Sequence, residues 1–163
     1  MPTRQPAAAW LIPAAIALAA CSLVGGGVFL ARTLNLAACP LCILQRMLYL
    51  LLALEALIAC GLTIRRQRLM VLLMGATALT GVYVAAYQTW LQRFAKGVSC
   101  AADQPWWERF VDWAGAQWPL LFEASGFCSE AGWKLLGLSI AEWSLIAFTA
   151  FTCATLEMFW RKN

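Results

Sequence analysis

Four long apolar runs are separated by charged or polar stretches along this chain. From Trp10 to Ala31 no charge occurs over 22 positions, and Leu69 to Trp90 repeats the pattern. A bilayer core of about 30 Å needs roughly 20 helical residues at 1.5 Å each. The first run is therefore read as a retained span. A cleavable signal sequence, the competing reading, would have an apolar region about half as long. A second helix is expected to begin near Leu41 and reach Ile64, with Pro40 in its first turn, where the missing N–H is no loss. The fourth run, Trp143 to Trp160, has Glu157 near its end. The expected architecture is an all-α membrane protein: a four-transmembrane-helix bundle in one domain over residues 1–163, with spans near 10–31, 43–64, 69–90 and 143–160 and outer loops 32–42 and 91–142. Pro13 and Gly25-Gly26-Gly27 suit a membrane helix, where small residues allow close helix contact.

The longer outer loop has a pattern of its own. Trp106, Phe110, Trp113 and Ala114 recur at helical spacing, with Glu108, Arg109 and Asp112 elsewhere on the wheel. This predicts a short helix lying in the membrane interface and holding the loop, and with it Cys100 and Cys128, down near Cys39 and Cys42.

Composition agrees with a membrane setting. Of 163 residues, 63% are hydrophobic and 12% charged, against about 25% charged in a soluble domain. The net charge of +4 marks orientation, not nucleic-acid binding. Arg65, Arg66 and Arg68 are expected in a tight basic turn on the cytoplasmic side, which puts both termini there too. Arg4, Arg161 and Lys162 agree; Arg32 does not. Trp10 and Trp160 fall at the expected inner ends, Trp90 and Trp143 at the outer ones, as indole rings favour. Glu55, in the middle of the second span, is a functional candidate by its cost there; protonation, or a bond to a neighbouring helix, is the plainer reading.

Candidate chemistry lies in the cysteines. There are seven, and no histidine, which removes the commonest metal ligand and general base. The topology puts Cys39, Cys42, Cys100 and Cys128 outside, in a bacterium the oxidising periplasm, while Cys21, Cys60 and Cys153 lie within spans as small hydrophobes. A structural zinc site usually needs two tight ligand pairs, and Cys100 and Cys128 are far apart in the chain, so no metal is expected. A static disulfide is open for Cys100 and Cys128. It is disfavoured for Cys39 and Cys42, because so short a ring constrains the unfolded chain little. Their place at a helix N-terminus lowers a thiolate's energy. Arg46, one turn after Cys42, could stabilise that thiolate or an anion on a bound acceptor, or could snorkel to headgroups.

Cys39-Pro40-Leu41-Cys42 with Gln45-Arg46 behind it, Cys100, and Ala124-Ser125-Gly126-Phe127-Cys128 continuing through Trp133, Leu136-Gly137-Leu138 and Glu142-Trp143 resemble the bacterial DsbB family over nearly the whole chain. The resemblance implies a disulfide-generating oxidoreductase of the inner membrane. It would reoxidise a periplasmic DsbA-like thioredoxin-fold partner and pass the electrons to ubiquinone or menaquinone. It implies that the partner attacks a Cys100–Cys128 disulfide at Cys100, that electrons move to Cys39–Cys42, and that Cys42, nearest Arg46, engages the quinone. Where some members carry a histidine near the quinone, this chain has Gln88, with Gln92 one turn on; both are candidate quinone contacts that cannot protonate it. A paralogue serving another periplasmic partner, and a membrane protein with purely structural disulfides, are the alternatives. A relay running outward would need a cytoplasmic cysteine pair, which the pattern does not provide.

Overall fold

The computed structural model describes residues 8–62, 64–94 and 105–160. Four helices in it are long and apolar enough to cross a membrane: α1 (Ala8–Thr33), α2 (Pro40–Gly61), α3 (Ile64–Phe94) and, at the end of the chain, α6 (Ile140–Trp160). Between α3 and α6 come α4 (Trp106–Gln117), the single turn α5 (Pro119–Phe122) and a hairpin of β1 (Lys134–Leu135) with β2 (Leu138–Ser139). Among the described residues the fold is all helical apart from that hairpin, as the long uncharged runs predict.

Each helix boundary has a local cause. At the end of α1 the Leu36 N–H returns to the Ala31 carbonyl at 2.8 Å, across Asn35 at φ 49°. This left-handed closure suits asparagine, and it turns the chain back toward Cys39. Arg66 and Arg68, expected in a turn, lie within the first turns of α3, which begins at Ile64 soon after α2 ends at Gly61. Arginine is a good helix former, so the charge continues the helix past the apolar run. α3 thus reaches 31 residues, roughly 46 Å at 1.5 Å each. The hairpin turns through Leu136 (φ 53°) and Gly137 (φ 83°), the two positive φ angles of a type I′ connection. It delivers Ser139 as the cap of α6. The Ser139 Oγ accepts the Glu142 N–H at 3.3 Å, and the Glu142 carboxylate accepts the Ser139 N–H at 2.7 Å, a reciprocal capping box. Arg93 from the end of α3 forms an ion pair with the same Glu142.

The helices form an open ring in which α1 packs on α2, α2 on α3 and α3 on α6, while α1 and α6 barely meet. The seams are built from small residues: Ala17 and Ala20 of α1, Ala53, Ala56 and Ala59 of α2, and Ala78 and Ala85 of α3 are buried. Leu18, Leu54, Leu57, Leu72 and Leu79 face outward. That arrangement suits a bundle in lipid, where close backbone packing rather than water drives association. Phe148 of α6 stacks on Tyr49, ring centroids 4.1 Å apart, and lies directly over Gly81, where a side chain would collide with its ring. Glu55 accepts a hydrogen bond from Thr77 of α3 at 3.0 Å. Gly25, Gly26 and Gly27 are not the helix contact their size suggested. A Cβ at any of them would meet nothing within 4 Å.

The loop helix forms as expected, but its faces divide differently. Trp106, Phe110 and Trp113 point outward, whereas Ala114 sits on the buried side with Val111 and Glu108, toward α2. Ala114 lies about 80° from Trp106 on the wheel, at the margin of the aromatic stripe, and packing against α2 settles its side. Gly115 lets α4 and α5 fold against each other, since a Cβ there would be 2.7 Å from the Phe122 carbonyl oxygen.

Candidate active site

Three sulfurs converge on the first turn of α2. Cys39 is its N-cap, in extended geometry (φ −84°, ψ 160°), and its Sγ accepts the Cys42 N–H at 3.2 Å. Pro40 has no N–H to satisfy. The Leu41 N–H is directed at the sulfur of Cys128. The Ile43 N–H closes the first helical turn on the Cys39 carbonyl at 3.1 Å. Amides that a helix start leaves unpaired thus end on sulfur, the geometry that holds an anion at a helix N-terminus. Cys39 and Cys42 are free thiols with their sulfurs 2.6 Å apart.

Cys128 arrives from a loop far along the chain, and its docking is backbone work. The N–H groups of Ser125 and Gly126 both donate to the Ala38 carbonyl, at 2.9 and 3.0 Å. The approach requires glycine: a Cβ at residue 126 would stand 2.5 Å from the Ala37 carbonyl oxygen. Cys128 is thereby buried against Cys39, Leu41 and Val84, with Trp107 and Leu91 alongside. Its thiol is held below the ordinary value by a hydrogen bond with Cys39, against the cost of burial, and by the Leu41 N–H. Cys39 is pushed well above the ordinary value by its hydrogen bonds with Cys128 and then Cys42, and by burial. In the reduced trio Cys39 keeps its proton while Cys128 carries negative charge more readily.

Behind the dithiol stands a pair of glutamines. Gln88 of α3 is buried, and its Nε2 donates to both sulfurs, at 3.1 Å to Cys39 and 3.1 Å to Cys42. Its Oε1 accepts from Nε2 of Gln45 on α2 at 2.7 Å. Gln88, expected against an acceptor, is directed at the sulfurs and does not line the adjoining cleft. Gln45 is the residue whose role the sequence did not show. It lies one residue before Arg46 and faces the cavity side of α2, but nothing in one sequence pairs it with a residue of α3.

In front of the dithiol a cleft opens where α1 and α6 part. Cys39, Cys42, Gln45, Arg46, Tyr49 and Gln92 line one part of it, and Leu23, Val24 and Phe127 give it an apolar wall. The guanidinium of Arg46 is half-buried and donates to the Leu121 carbonyl at 3.0 Å, tying α5 to the rim. Gln92 donates to the Glu130 carbonyl at 3.4 Å, which leaves its Oε1 buried without a partner. Of the expected site residues, the structure therefore gathers Cys39, Cys42, Cys128, Arg46, Gln88 and Gln92 around the mouth of α2. Cys100 lies outside the described residues.

A bundle with four candidate membrane spans, a Cys-x-x-Cys dithiol at a helix mouth and a third cysteine delivered against it is the class of a membrane thiol–disulfide oxidoreductase. The comparisons with known proteins identify which one. The family model "Disulfide bond formation protein DsbB" matches residues 8–158, and the chain belongs to that family. It is 40% identical to disulfide bond formation protein B of Dechloromonas aromatica over 163 residues, covering 99% of this chain and 97% of the relative. It is 36% identical to the protein of the same name from Nitrosomonas europaea, covering 91% of each. Disulfide bond formation protein B 1 of Pseudomonas fluorescens is 41% identical over 132 residues, 78% of this chain and 75% of the relative.

Proposed function

We propose that this protein reoxidises a periplasmic DsbA-type thiol oxidase at the bacterial inner membrane and passes the electrons to ubiquinone or menaquinone. The observation that carries the reading is the contact of Cys128 with Cys39 at the mouth of α2. Thiol–disulfide exchange needs one thiolate to reach the other disulfide directly, and this contact joins the loop cysteine to the Cys-x-x-Cys pair.

The steps follow from that contact. The partner's thiolate attacks a Cys100–Cys128 disulfide at Cys100, and Cys128 leaves as thiolate. The Leu41 N–H, directed at the Cys128 sulfur, receives that charge. Cys128 then attacks Cys39 of a Cys39–Cys42 disulfide, and Cys42 leaves as thiolate beside Arg46. The partner's second thiol resolves its mixed disulfide with Cys100, and Cys100 in turn attacks Cys128, releasing Cys39. Over the cycle the partner loses two electrons and two protons and becomes a disulfide; Cys100–Cys128 is restored, and the two electrons reside on Cys39 and Cys42.

The cleft fits a quinone head group. It offers an apolar wall, the Arg46 cation and the unpartnered Gln92 Oε1 beside the dithiol. Quinone, when bound, supplies a two-electron, two-proton acceptor, leaving as quinol. Arg46 would hold the ring and balance negative charge near Cys42, and the Gln92 Oε1 would accept a hydrogen bond from a quinol hydroxyl. The energetics require a strong acceptor. DsbA-type oxidants sit near −120 mV and glutathione pools about 100 mV or more lower. At about 1.4 kcal/mol per 30 mV, glutathione disulfide could not drive the cycle.

The test is quinone reduction by the purified full chain in detergent with a reduced DsbA-type donor. Wild type should turn over and Cys42→Ser should not. No turnover by folded wild type with either quinone overturns the reading.

A further inference from the structure

The glutamine pair behind the dithiol does work that lining a quinone cleft does not account for. Gln88 places a single amide nitrogen 3.1 Å from each sulfur of the Cys39–Cys42 pair. That amide cannot reverse without bringing its oxygen against the sulfurs and its nitrogen against the Gln45 donor, which holds Oε1 at 2.7 Å. Both glutamines are buried, so water does not compete for these bonds. Gln45 stands one helical turn after Leu41, so α2 supplies the orienting donor while α3 supplies the clamp.

We infer that Gln88, oriented by Gln45, is a redox-tuning clamp that stabilises the reduced Cys39–Cys42 dithiol over its disulfide. A thiolate is a strong acceptor for an amide N–H, whereas a disulfide sulfur is a weak one. The same buried donor is therefore well paired in the reduced state and poorly paired in the oxidised state, where it carries a desolvation cost. The difference makes the disulfide easier to reduce. It favours drawing electrons off Cys128 and onto the pair, and it is shared by both sulfurs, so it persists whichever one bears the charge. Gln88 touches the reacting atoms; Gln45 is a positioning residue acting through it.

The inference rests on Cys39 and Cys42 being a redox pair, and its test needs neither the partner protein nor quinone. Full-length protein with Cys100 and Cys128 replaced by alanine is equilibrated in detergent with reduced and oxidised glutathione. One disulfide and two glutathione thiols exchange for one dithiol and one glutathione disulfide. The reduced fraction is counted by alkylation and mass spectrometry. A hydrogen bond to a charged group implies that Gln88→Met, unbranched and similar in length, shifts this constant about ten- to hundredfold toward the disulfide. That is a fall of about 30–60 mV in potential. Gln45→Leu should shift it the same way by less, and should add nothing in the Gln88→Met background, because it acts only through that amide. An unchanged potential in Gln88→Met, or an undiminished Gln45→Leu effect in the double variant, overturns the clamp while leaving the proposed function standing. A pair that does not cycle with glutathione at all overturns both.

Discussion

Gly126→Ala is the perturbation that isolates docking from chemistry, because it removes no sulfur and no polar side chain. The added Cβ would lie 2.5 Å from the Ala37 carbonyl oxygen, 3.0 Å from its carbon and 3.2 Å from its Cβ. Ordinary contact begins near 3.5 Å, so the loop must retreat by roughly 1 Å. The two bonds to the Ala38 carbonyl, 2.9 and 3.0 Å in the docked loop, then pass beyond hydrogen-bonding range. Each backbone bond contributes about 0.5–1.5 kcal/mol, so docking weakens by about 1–3 kcal/mol, or roughly five- to 150-fold. Exchange requires the docked loop, and the electron-transfer step should slow by a similar factor. A single-turnover assay reads it: oxidised protein is mixed with reduced partner without quinone, quenched in acid, and scored for the free Cys42 thiol. Gly25→Ala, whose Cβ meets nothing within 4 Å, should match wild type. A folded Gly126→Ala protein that transfers electrons within twofold of wild type refutes the claim that this docking governs exchange.

Other consequences can be measured separately. In fully reduced protein, the lowered Cys128 thiol should remain open to iodoacetamide at pH values where an ordinary cysteine is protonated, losing reactivity only as pH falls through its depressed value. Cys39, raised, should react only as pH climbs well above the ordinary thiol range, and Cys39→Ala should move the Cys128 profile back up, since their hydrogen bond is the largest cause of its shift. Gly81→Ala drives a methyl into the Phe148 ring and should cost about 1–3 kcal/mol by overpacking, seen as a lower Tm in detergent. Combining it with Phe148→Leu should recover part of that loss. Ser139→Ala breaks the α6 capping box and should cost about 1 kcal/mol. Arg93→Gln removes an ion pair whose arginine is exposed and should change the same Tm by less.

The long elements were legible because uncharged runs of bilayer length have few other uses, and because Pro40 marks a helix start that makes Cys39 its cap. That the outer loop would come down near Cys39 and Cys42 was legible from its amphipathic helix; how Cys128 is seated against Cys39 was not. That seating depends on the Ala38 carbonyl and on the bare α-carbon of Gly126, neither of which carries a chemical signature in the sequence. Gln88 shows the same limit: its position in α3 was readable, but the direction of its amide depends on Gln45 across the α2–α3 seam. The triple glycine misled for a related reason. Small residues permit close packing, but nothing comes within 4 Å of where a Cβ would stand at any of the three. The hairpin turn was hidden by Leu136, a residue seldom found at positive φ.

The central claim is that Cys128 and Cys39 are exchange partners in the native fold. Its most direct measurement is disulfide mapping in the Cys42→Ala, Cys100→Ala double variant, gently oxidised in detergent, with peptides identified by mass spectrometry. The account predicts one disulfide, Cys39–Cys128, forming nearly to completion. Two thiols that stay fully alkylatable in the folded protein would contradict it.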